Sequence, residues 1–104
     1  MNADSDIQVW LETVSRTQPS IIIPYVKSGR DKTLRYKLRT TQESNGGRAV
    51  IGQGGMIALV ADVPAPLVEM SLNRRVDDTC SINLILSEAG QEDRTYEFDC
   101  TSMK

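Results

Sequence analysis

The chain contains no histidine. That removes His-ligated zinc, a Ser-His or Cys-His nucleophile pair and a histidine general base together. Aromatic residues are scarce: Trp10, Tyr25, Tyr36, Tyr96 and Phe98 are the whole set in 104 residues. With a formal net charge of only −2, so few rings argue against a nucleic-acid partner. The longest apolar run, Met56 to Ala61, is six residues, against roughly 18–20 for a membrane-spanning helix, so no membrane insertion is expected. Neither a basic segment nor an apolar one opens the chain at Met1-Asn2-Ala3-Asp4-Ser5. It therefore reads either as a cytosolic protein or as the mature form of an exported one, without a signal peptide. The glycines of Gly46-Gly47 and Gly52-Gln53-Gly54-Gly55 are not followed by Lys-Ser or Lys-Thr, so no phosphate loop is indicated and hairpin turns are expected there. The carboxylate pairs Asp77-Asp78 and Glu92-Asp93 lack the spacing of a calcium loop and sit beside turn signals. No catalytic residue, metal site or cofactor is indicated, and the expectation is a protein that is not an enzyme.

Two cysteines are present, Cys80 and Cys100, at a separation that fits neither of the close-spaced dithiol motifs. Cys80, Ile82, Leu84 and Leu86 alternate with Ser81, Asn83 and Ile85, a period of two broken only at Ile85. Beyond a polar segment containing Gly90, Tyr96, Phe98 and Cys100 alternate with Thr95, Glu97 and Asp99. This is the pattern of a β-hairpin. With its turn near Gly90, Leu84 faces Tyr96, Ile82 faces Phe98 and Cys80 faces Cys100, all on the apolar side. The sulfurs then either form a structural disulfide or remain two buried thiols. We carry the disulfide forward, and it implies an oxidising compartment.

No segment shows sustained helical periodicity. Short strand-like runs recur instead: Ile7 to Leu11; Ile21-Ile22-Ile23, stopped at Pro24; Leu34 to Arg39; Ala49-Val50-Ile51; Met56 to Val60; Leu67 to Leu72; and the cysteine hairpin. About seven short strands separated by turn signals indicate an all-β, immunoglobulin-like antiparallel β-sandwich. The Cys–Trp–Cys order of antibody domains is missing, because Trp10 precedes both cysteines. One domain over residues 7–100 is expected, with polar tails at 1–6 and 101–104.

Charge is unevenly placed. Residues 27–48 hold seven bases (Lys27, Arg30, Lys32, Arg35, Lys37, Arg39, Arg48) and two acids (Asp31, Glu43), a net of +5. In an extended strand Arg35, Lys37 and Arg39 share one face at about 6.6–7 Å spacing, with Arg30 and Lys32 flanking them. Such a row is either a binding face for an acidic or polar partner or a solubilising surface that guards a sheet against aggregation.

The run Leu67-Val68-Glu69-Met70-Ser71-Leu72-Asn73, the acidic pair Asp77-Asp78 after a three-residue spacer, and the alternating Ile82, Leu84 and Leu86 resemble the curli assembly protein CsgC family. Ile22-Ile23-Pro24-Tyr25-Val26 resembles an early strand of that family, and Ser87-Glu88 with Gly90-Gln91 resembles its final hairpin turn. The resemblance implies an immunoglobulin-like sandwich, a periplasmic location, and a role in keeping the major curli amyloid subunit from polymerising before export. Some members carry Cys-x-Cys in an early central strand. The corresponding place here, Leu34-Arg35-Tyr36, has no cysteine, so redox activity does not carry over by resemblance. The expected client-binding residues are Arg30, Lys32, Arg35, Lys37 and Arg39, in a monomer whose partner is a curli subunit. The alternatives are thiol–disulfide exchange through Cys80 and Cys100, or a structural or adhesive sandwich module.

Overall fold

The computed structural model describes residues 7–15, 20–44, 46–72 and 79–100. The expected tails, together with Asn73 and the Asp77-Asp78 pair, lie outside these residues. The fold is all-β, a sandwich of two antiparallel sheets. One sheet contains β1 (Ile7–Ser15), β2 (Ser20–Ser28), β5 (Ala65–Pro66) and β6 (Met70–Leu72). The other contains β3 (Lys32–Ser44), β4 (Gly47–Leu59), β7 (Thr79–Ser87) and β8 (Arg94–Asp99), in the order β4-β3-β7-β8. The core follows from the period of two. Leu34, Leu38, Ile82, Leu84 and Leu86 turn inward from the second sheet to meet Ile7, Ile22, Val26 and Met70 from the first. Val9, Leu11, Tyr36, Tyr96 and Phe98 pack around this cluster.

The last hairpin has the register anticipated from the sequence: Leu84 pairs with Tyr96 and Ile82 with Phe98. Gly90 turns it with a φ of 80°, a conformation that glycine adopts without a side-chain penalty. Three other expectations are corrected. The isoleucine run does not stop at Pro24, because β2 continues through it to Ser28. Pro24 faces the break where β2 passes from pairing with β6 to pairing with β5. Its carbonyl accepts from Leu67 N at 2.9 Å in that break. A residue's N–H and C=O point to the same side of a strand, so the missing N–H costs the β1 ladder nothing. For the same reason the single strand expected over Leu67–Leu72 is divided into the short strands β5 and β6, with residues 67–69 between them.

The third correction concerns Gly52-Gln53-Gly54-Gly55. These residues are not a turn. They lie mid-strand in β4, which pairs residue by residue with β3 from Ser44↔Gly47 to Lys32↔Leu59. The expected turn at Gly46-Gly47 is the one that closes this hairpin. At about 3.4 Å per residue, thirteen residues account for the 44 Å long axis of the molecule. The turn into β3 is fastened to the exit of β4. Asp62 N donates to Ser28 O at 2.7 Å, and Ala61 N donates to Asp31 Oδ1 at 2.7 Å.

Candidate functional site

Arg35, Lys37 and Arg39 alternate along β3 with the buried Leu34 and Leu38 and the half-buried Tyr36. All three bases are therefore exposed on the outer face of the second sheet. Their lateral neighbours carry no charge. Arg35 lies between Met56 and Ser87, Lys37 between Gly54 and Ile85, and Arg39 between Gly52 and Asn83. In that lattice Glu97 is paired with Asn83 and stands one strand beyond it from Arg39. Among the described residues, none of the three bases enters a salt bridge. The row is thus a line of positive charge held in no salt bridge among the described residues, with Glu88 and Asp93 at the margin beside Arg35.

Two shallow depressions flank Lys37 and share it with Ile85. One, of about 490 Å³, lies over Gly52 and Gly54 between Lys37 and Arg39. The other, of about 620 Å³, is bounded by Arg35, Met56, Ser87 and Asp93. The absent side chains at 52 and 54 create the first, and Ile85 gives both an apolar floor. Sequence reading passed over Ile85, although the signal was present: it is the one apolar residue that breaks the alternation of β7, and so the one that β7 turns outward.

The two flanking bases do not join the row. Lys32 shares its parity with the inward-facing Leu34, and its ammonium is paired with Glu88 Oε1 at 3.4 Å. Its side chain is only 9% exposed. Arg30 is exposed in the turn between β2 and β3, off the sheet, where its backbone N donates to Ser28 Oγ at 3.2 Å. The structure therefore brings together Arg35, Lys37 and Arg39 and sets Arg30 and Lys32 apart from them.

Cys80 and Cys100 form a disulfide, with Cα atoms 4.8 Å apart. Cys100 N donates to Cys80 O at 2.9 Å, continuing the β7–β8 ladder one step past β8. Both residues are 3% exposed. A third feature was not anticipated. From Gly47 to Met56 every residue of β4 is exposed, on both faces of the strand. Val50, Ile51 and Met56 are the large apolar side chains left in water along it.

No family model matches the chain, and no curated protein sequence does. Solved structures do. The E. coli curli protein CsgC superposes with a TM-score of 0.77 at 23% identity, over 88% of this chain and 97% of that one. CsgH of R. palustris superposes with a TM-score of 0.73 at 18% identity, over 89% and 91%. At the level of fold, the chain is CsgC-like.

Proposed function

We propose that this protein is a periplasmic curli biogenesis factor which, without catalysis or a cofactor, restrains the amyloid polymerisation of the major curli subunit. The observation that carries the reading is the row Arg35, Lys37 and Arg39 on the outer face of a rigid sandwich. Amyloid grows by adding strands to an exposed edge, so an inhibitor has to engage an early assembly without extending it. A fixed row of bases attracts acidic or polar segments, while its mutual repulsion opposes dense packing of further chains. The likeness of fold to the E. coli curli protein CsgC and the sequence resemblance to that family support the curli setting. The Cys80–Cys100 disulfide suits an oxidising compartment such as the periplasm.

Thiol–disulfide exchange is the less favoured reading. An attacking thiolate must reach a sulfur, and both cysteines lie buried at the end of the core hairpin. The test is fibrillation of purified major curli subunit with this protein added well below equimolar. The native chain is expected to lengthen the lag. The Arg35→Glu/Lys37→Glu/Arg39→Glu variant is expected to lose that effect while its thermal unfolding midpoint stays close to the native one. Inhibition that survives the triple reversal would reduce the row to a solubilising surface.

A further inference from the structure

Strand β4 is an edge of the second sheet, and it lacks the devices by which sheet edges are ordinarily blunted. It is thirteen residues long, contains no proline, has no charged residue from Ala49 to Leu59, and pairs with β3 without a bulge. Its outward hydrogen-bonding groups can be assigned. Cys80 O receives Cys100 N, so even-numbered residues of β7 turn their N–H and C=O toward β8, and odd-numbered ones turn theirs toward β3. Carried through the register of β3 with β7 and then with β4, the same alternation points the N–H and C=O of Val50, Gly52, Gly54 and Met56 away from β3. Among the described residues, no strand receives these four successive ladder positions.

The glycines give this edge a chemical preference. Gly54 is paired with Lys37 and Gly52 with Arg39 on the outer face, so nothing on β4 stands between either cation and the edge. A Cβ at Gly52 would meet no atom within 4 Å. The space above Gly54 is bordered by the stem of Lys37, whose Cγ lies 3.9 Å from an ideal Cβ there. A strand added to β4 would run two strand spacings from β3, about 9–10 Å, within the joint reach of a long cation and a carboxylate.

We infer that β4 accepts an extended client segment as a fifth strand of this sheet, and that Lys37 and Arg39 reach across Gly54 and Gly52 to carboxylates spaced two residues apart on that segment. Backbone bonds supply sequence-tolerant affinity, and the cation pair selects an acidic strand. A second copy meeting β4 with its own β4 fits poorly, because that strand offers Arg48 and no acid. The opposite sheet edge, β8, carries Glu97 and Asp99 two residues apart. A copy added through β8 is therefore the competing occupant, and dependence on protein concentration separates it from the client. The inference rests on the reading that the client is an amyloid-forming chain, and it names how that chain is held.

The test is residue-resolved amide hydrogen exchange on the isotopically labelled full chain, with and without soluble major curli subunit. Strand addition is expected to slow exchange at Gly52, Gly54 and Met56 by about tenfold or more, and the Lys37→Glu/Arg39→Glu variant should lose this protection. Resonance changes at Lys37, Arg39 and Ile85 without protection of those amides would overturn the edge while leaving the basic face as the docking site. No change anywhere would remove the proposed client itself. Protection that appears without client and grows with protein concentration would assign the edge to a second copy instead. As a further arm, Gly52→Pro removes an outward donor and no bond to β3, and it is expected to abolish inhibition. A folded Gly52→Pro variant that inhibits fully would also overturn the inference.

Discussion

Cys80 and Cys100 close a loop across 20 residues of sequence, and constraining the unfolded chain that much contributes about 3 kcal/mol on loop-entropy grounds. Both residues are buried beside Ile82 and Phe98, so their removal also leaves a small void. Cys80→Ala/Cys100→Ala is expected to lower stability by about 3–4 kcal/mol, read as a shift of the denaturant midpoint, with fibril inhibition retained under conditions where the variant is folded. Loss of inhibition by that folded variant would favour the exchange reading. The pairing could be read from sequence because two alternating runs around one glycine leave a single register that buries both apolar sets. The same parity rule separates Lys32 from Arg35, since an even and an odd position on one strand face opposite ways. Grouping the bases by proximity in sequence lost that distinction. Nothing local to Lys32 points to its partner, because Glu88 lies 56 residues away and meets it only through the fold.

The β3–β4 hairpin shows where residue preferences give way to pairing. Glycine is poor in strands because it gains no side-chain packing and loses the most backbone freedom. Three glycines within four residues therefore read as a turn, yet thirteen consecutive pairs with β3 hold them extended. Individually they differ. Over Gly55 lies the ring of Tyr36, with Oη 3.3 Å and Cε1 3.4 Å from where a Cβ would be. The aromatic side chain covers backbone that the glycine leaves bare. Gly52 has open space above it. Substitutions in this one strand should therefore have opposite signs. Gly52→Val is expected to stabilise by about 0.5–1 kcal/mol through lower unfolded-state freedom and better strand propensity. Gly55→Val is expected to destabilise by about 1–3 kcal/mol through crowding against Tyr36. Urea unfolding of the two variants beside the native chain measures both. Equal shifts would mean that Tyr36 does not pack on Gly55. The sandwich itself was legible because alternation of period two survives in β1, β3, β7 and β8. The break of β2's partner strand at residues 67–69 was not, because it depends on what lies across the sheet from Pro24.

The molecule as a whole carries −2, so the bulk of its surface does not attract an acidic client. Attraction has to come from the local field of Arg35, Lys37 and Arg39, and fields of exposed charges are screened over about 8 Å at physiological ionic strength and about 3 Å at 1 M salt. Encounter with a client should therefore slow steeply as salt rises, whereas backbone hydrogen bonds formed at the β4 edge after docking are far less sensitive. Lag times measured with and without this protein, at each of several ionic strengths between about 0.05 and 0.5 M, separate the two stages. The ratio of inhibited to uninhibited lag is expected to fall toward one as salt increases, and to fall less for Arg35→Glu, where one steering charge has already been reversed. Dividing by the uninhibited lag at the same salt removes the effect of screening on the client's own assembly. A ratio that stays constant across the range would mean that the basic row does not steer capture, and would shift the point of engagement to the backbone of the β4 edge.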